Sequence, residues 1–133
     1  MRTLFADTFY FIAWVNGDDP GHRKAVGFNL DSVKLVTTAW GCLRKLGDAL
    51  SAPENRLLFL SLLEMLQNSP DIRIVSSSDD WFGRGVELYH QRLDKEWSLT
   101  DGISFAVMSE TNLTEALTAD RHFEQTGFRA LLK

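Results

Sequence analysis

Short apolar runs alternate with helical patterns along this chain, and that alternation limits the folds open to it more than any other feature. TLFAD (3–7), VKLVT (33–37), IRIV (72–75), EALTAD (115–120) and FRALL (128–132) read as strands. Between them, helical spacing is read over 8–16, 22–30, 38–50 and 56–67, from SSSDD (76–80) to Tyr89, and over 102–111. DDPGH (18–22) carries turn chemistry, and SAPEN (51–55) breaks one helix and places Pro53 at the first turn of the next. Strands joined through helices pair in parallel, by right-handed crossovers. The expectation is one domain over 1–133, a three-layer α/β/α sandwich with a central parallel sheet of four to five strands.

Two helices carry particular expectations. RLLFLSLLEMLQ (56–67) is apolar on most sides, which predicts deep burial. TTAWGCLRKLGDAL (37–50) reads as an amphipathic helix. Thr37 or Thr38 caps it, and Trp40, Leu43, Leu46 and Leu50 form its apolar stripe.

Composition narrows the class. The chain has 133 residues, 44% of them hydrophobic, enough for a real core. No apolar run approaches the roughly 18 residues of a membrane span. The N-terminal MRTLFADTFYFIAW is interrupted by Asp7 and lacks a small-residue cleavage site, so no signal peptide is expected. A lone cysteine, Cys42, rules out an internal disulfide and suits a reducing, cytoplasmic setting. The net charge of −4 argues against a protein that coats nucleic acid, and leaves room for an enzyme that grips it locally.

The acids fall in a suggestive place. In open α/β sheets, ligands bind beyond the carboxyl ends of the strands. Asp7 ends the first run and Asp120 the fourth, while Asp101 opens a helix expected at the same edge. Three carboxylates converging there repel one another, and a divalent cation with hard oxygen ligands, Mg²⁺ or Mn²⁺, relieves the repulsion. Each Asp also stands where it can cap a helix, and Ser98-Leu99-Thr100-Asp101 fits a capping box. Taken singly, each is more simply a cap. The two roles are compatible, since a pinned carboxylate is a well-placed ligand.

LFADTFYFIAW, VTTAW…DAL, WSLTDGISFAVM and LTADRHFEQTGF, in this order, resemble the PIN domain in the version used by VapC-type toxins of bacterial toxin–antitoxin pairs. The resemblance spans essentially the whole chain, and its last two segments are the most specific. It implies a metal-dependent endoribonuclease with catalytic, metal-holding Asp7, Asp101 and Asp120. Thr100 would be a supporting hydroxyl, with Thr8 and Asp48 as further supporting residues. Mg²⁺ or Mn²⁺ would be the cofactor, RNA the substrate, a VapB-like antitoxin the partner and a homodimer the assembly. The aromatic first helix and the apolar helix 56–67 also carry more hydrophobic surface than one thin sheet needs, which points to the same symmetric pairing.

One position departs from the family. A further acid, usually Glu, is expected seven residues after the first Thr of the TTxW segment, and counting from Thr37 reaches Arg44. Read from the residues alone, Arg44 is a solvated helix-edge residue pairing with Asp48. The resemblance instead points its guanidinium at the acids, where it would bridge Asp7 to Asp101 or Asp120 and perturb metal binding.

Other residues read more plainly. His22, His90 and His122 lack metal-ligand spacing and are expected at the surface or in the core. Cys42 has no His nearby to make it a nucleophile. Trp14, Trp40, Trp81 and Trp97 are expected in the core or at an interface. No glycine-rich phosphate loop is present, and a phosphoacceptor domain would need an acid where IRIVSSS offers serines. Two readings remain: an endoribonuclease toxin, or a catalytically weak PIN fold that acts by binding its antitoxin. Arg44 separates them.

Overall fold

A computed structural model describes residues 1–133. The elements are β1 (Arg2–Ala6), α1 (Thr8–Val15), α2 (His22–Gly27), β2 (Val33–Thr38), a π-helical turn (Ala39–Leu43), α3 (Arg44–Ala49) and α4 (Pro53–Asn68). They continue with β3 (Ile72–Val75), α5 (Asp79–Gln91), α6 (Leu99–Glu110), β4 (Glu115–Leu117), α7 (Arg121–Gln125) and β5 (Arg129–Ala130). The five strands lie in the order β3-β2-β1-β4-β5, and all four neighbouring pairs are parallel. The first three strands step one way from β1, and the last two are laid on its other side. The winding therefore reverses between β1 and β4, and a crevice opens at the carboxyl ends of these strands.

Strand alternation divides the core into two layers. Leu4, Ala6, Leu35 and Leu117 face one way and pack with Tyr10 and Phe11 of α1, Leu43, Leu46 of α3, and Leu62 and Leu66 of α4. Phe5, Val36, Val75 and Ala116 face the other way, against Trp97, Phe105, Val107 and Met108 at α6 and Phe123 of α7. On this second face α5 crosses α6 at a glycine pair. A Cβ on Gly102 would stand 2.7 Å from the Gly85 carbonyl oxygen, and one on Gly85 would stand 2.5 Å from Ile103 Cγ1. Only glycine permits this approach, and it seats the start of α6, with Asp101, against the sheet edge.

Three expectations are corrected. First, α4 is not buried on most sides: only Leu62 and Leu66 are fully covered, while Leu57 is 77% exposed and Leu60 56%. One sheet face offers a helix only a stripe of cover, so the surplus leucines face outward. Second, residues 38–50 are not one α-helix. Thr38 does cap, its hydroxyl accepting from the Cys42 N–H at 2.9 Å, but the first turn is π-helical and α3 begins only at Arg44. The wide turn changes the phase of the stripe: Leu43, Leu46 and Leu50 are buried, whereas Trp40 is 44% exposed. Third, α6 starts at Leu99 rather than 102, because Ser98 caps it. No helix is long and apolar enough to cross a membrane.

Candidate functional site

The acids reach the crevice from three elements. Asp7 follows β1 directly, Asp101 lies in the first turn of α6, and Asp120 caps α7 just beyond β4. Asp101 completes the capping box: Ser98 Oγ accepts from its N–H at 3.0 Å, and its Oδ2 accepts from the Ser98 N–H at 3.0 Å. Asp120 Oδ1 accepts from the His122 N–H at 2.9 Å. The capping reading is thus correct for Asp101 and Asp120. It does not apply to Asp7, which makes no side-chain cap bond.

His122 is the residue that sequence reasoning set aside. Its Nδ1 lies 3.2 Å from Asp101 Oδ2 and 3.4 Å from Asp120 Oδ1. Toward an ionised carboxylate this nitrogen donates a proton, and to ligate a metal it would instead have to be deprotonated. One ligand atom each from Asp101, Asp120 and His122 lie within 4.8 Å of one another, close enough to hold one metal ion. The sequence held a signal, since His122 falls two residues after Asp120 at a helix start. Its second partner, Asp101, lies far upstream, so no spacing rule could find it.

Asp7 sits deeper and beside this trio. Its Oδ2 accepts from the Thr118 hydroxyl at 3.0 Å, and the Cys42 thiol lies 4.0 Å from its Oδ1. Its pKa is raised from 3.8 to about 6, chiefly by burial and further by the charges of Asp101 and Asp120. Bonds from the Thr118 hydroxyl and the Thr8 N–H oppose that rise. Thr118 serves both strands, because its oxygen also accepts from the Asp120 N–H at 3.1 Å. It precedes Asp120 by two residues, a same-side spacing that could have revealed it. Burial, and then the charge of Asp7, push the Cys42 thiol up, so it stays a neutral group packed between Asp7 and Ser104, 3.6 Å from the Ser104 hydroxyl.

The remaining candidates lie as follows. Thr8 donates to the Cys42 carbonyl at 3.1 Å and so ties α1 to the π-helical turn. Thr100 is buried, with its methyl carbon 3.4 Å from where a Cβ on Gly41 would stand. Arg44 does not bridge the acids. Its Nε donates to the Trp40 carbonyl at 3.0 Å, its Nη1 to Asp48 Oδ2 at 3.2 Å, and its guanidinium lies 5.0 Å from the Trp40 ring centroid. The side chains of Arg44 and Asp48 are 47% and 71% exposed. The simpler reading from the residues, a helix-edge pair, is the one realised. The physical reason is the π-helical turn, whose extra residue rotates everything after it and turns position 44 toward solvent. Asp48 goes with it and does not reach toward the acids.

A doubly wound parallel sandwich with acids gathered at its switch point has the architecture of PIN-like folds. Comparison with solved structures gives that fold a specific likeness. The crystal structure of VapC20 from Mycobacterium tuberculosis, described as a sarcin–ricin loop cleaving toxin, superposes with a TM-score of 0.80 at 21% identity. The match covers 94% of this chain and 95% of that one. FitAcB from Neisseria gonorrhoeae superposes with a TM-score of 0.59 at 17% identity, over 96% and 94% of the two chains. No family model matches the sequence, and no curated protein is detectably similar to it. The chain has the VapC-like PIN fold.

The raised pKa of Asp7 makes stability depend on pH. The folded state holds this proton more tightly than the unfolded chain, which releases it near 3.8. The stability it contributes is full below that value and is lost as pH rises to about 6. In chelator-treated protein, Asp7→Asn should therefore match the parent near pH 4 and exceed it at pH 7 by up to about 3 kcal/mol. Denaturant melts at both pH values measure this. Equal stability at pH 7 would show that Asp7 carries no such strain.

Proposed function

We propose that this protein is a metal-dependent endoribonuclease of the PIN/VapC toxin type. The observation that carries the reading is the meeting of Asp101, Asp120 and His122 within ligand distance of one ion, with the buried carboxyl of Asp7 beside them. The oxygen-rich donor set of the three aspartates suits Mg²⁺ or Mn²⁺. The VapC20 neighbour, an RNA-cleaving toxin, supports the same reading.

Asp7, Asp101 and Asp120 would hold the ion, with His122 beside them. When bound, it would supply Lewis acidity and a water of lowered pKa for attack on a phosphodiester. The protein's own part is positioning. The capping bonds pin Asp101 and Asp120, so little rotamer freedom is lost when they bind. Thr118 couples the ends of β1 and β4, which fixes the distance from Asp7 to Asp120. His122 orients both outer carboxylates through Nδ1.

A second reading rests on one observation: position 44 supplies no acid. Arg44 faces solvent, and the groups beside Asp7 are the neutral Thr118 and Cys42. A site with three Asp and no further carboxylate holds Mg²⁺ less firmly, and the chain would then act chiefly by binding a VapB-like antitoxin. A cleavage assay on single-stranded RNA decides. The first reading expects Mg²⁺- or Mn²⁺-dependent cutting that falls to background with chelator and in Asp101→Asn, and drops about 10- to 100-fold in His122→Ala. Because Arg44 faces outward and does not reach the acids, Arg44→Glu should leave Mn²⁺ affinity little changed. Cutting that persists in chelator or in Asp101→Asn would overturn the first reading, and no cutting at any metal concentration would favour the second.

The outward leucines of α4 support a symmetric homodimer. Trp14, Val15, Leu58, Leu62 and Met65 bound a shallow groove of about 300 Å³ on this face, beside exposed Leu57 and Leu60. Light scattering should give a dimer at tens of micromolar, and Leu57→Glu with Leu60→Glu should give a monomer. A monomeric parent would contradict this assembly.

A further inference from the structure

Beyond the acids, the same sheet edge carries a second feature. Strands β1, β2 and β3 are adjacent, and their carboxyl ends lead to Asp7, to Trp40 through Thr38, and to Ser76–Ser78 through Val75. An open cleft of about 390 Å³ lies there, bounded by Trp40, Ser77, Ser78, Asp79 and Phe82. Its walls are two large aromatics left 44% and 41% exposed, Trp40 and Phe82. A narrower recess beneath them reaches Val75, Trp81 and Ile103.

Resting on the nuclease reading above, we infer that the cleft between Trp40 and Phe82 takes one unpaired base of a single-stranded RNA whose backbone runs on to the acidic site. Three observations carry this. The cleft lies on the crevice side of the sheet, on the strands next to the one that ends in Asp7, so one strand of RNA can occupy both. Its walls carry two partly exposed aromatic side chains, a residue type that stacks with any base. Its charge sorts the ligand: Asp79 at the rim repels phosphate, so a neutral base enters and the backbone stays outside. Arg44, over the Trp40 ring at 5.0 Å and paired with Asp48, is the nearby cation that this backbone would meet. This also gives Arg44 a role outside the metal site. An apolar partner helix fits the cleft poorly, because it would need anchors over two turns and this short cleft ends in serines and a carboxylate.

The test uses the whole protein and a hexaribonucleotide in chelator, where the proposed metal-dependent cutting is stopped, followed by fluorescence anisotropy. Trp40→Ala and Phe82→Ala should each weaken binding about tenfold or more, while Trp40→Phe, which keeps a ring, should stay within about threefold. The same hexanucleotide with abasic central positions should bind the parent and all three variants alike. Circular dichroism confirms that each variant folds. If the parent cleaves RNA but Trp40→Ala binds the hexanucleotide as tightly as the parent, the stacking pocket is wrong and the nuclease reading stands. If the substitution instead abolishes self-association in light scattering and leaves RNA binding intact, the cleft is a protein contact and the inference fails. If the parent neither binds nor cleaves RNA, the nuclease reading falls, and the pocket with it.

Discussion

The convergence of three carboxylates at one sheet edge, one of them fully buried, is the constraint around which this molecule is arranged. Asp101 and Asp120 arrive on separate elements, and each is anchored by backbone N–H donors at a helix start. His122 then places a proton between them. Asp7 has no capping bond of that kind. Its carboxylate accepts from Thr118, and its pKa is raised chiefly by burial and further by the charges of Asp101 and Asp120. The surrounding fold holds these acids in place. The glycine contact between α5 and α6 seats Asp101, and the reversal of winding between β1 and β4 brings Asp7 beside Asp120.

The π-helical turn after β2 is the other organising element. It closes over Asp7 with a neutral thiol, ties to α1 through Thr8, and turns Trp40 and Arg44 outward. The turn that removes a charged side chain from the acidic site thus creates the aromatic wall beside it. Both effects follow from one extra residue in one turn.

The parallel sandwich was legible because its signal is repeated: five apolar runs with helices between them leave few alternatives. The converging acids were legible too, since a strand-final Asp reports its position directly, and the Ser98–Asp101 box gave the start of α6 in four letters. Other features depended on information that periodicity does not carry. Arg44 was misplaced because counting assumes α-helical phase, and nothing in TTAWGCL announces a π-helical turn. His122 was missed because its partners come from elements 19 residues apart in sequence. The outward leucines of α4 were read as buried because hydrophobicity shows how much cover a helix wants, whereas only the tertiary structure shows how much the sheet provides.

The central claim is that the acids form a cation site. A calorimetric Mn²⁺ titration of chelator-treated protein at neutral pH tests it most directly, with the parent beside Asp101→Asn and Asp120→Asn. The account predicts saturable binding by the parent that either substitution abolishes. Absence of binding by the parent, or equal binding by all three, would contradict it.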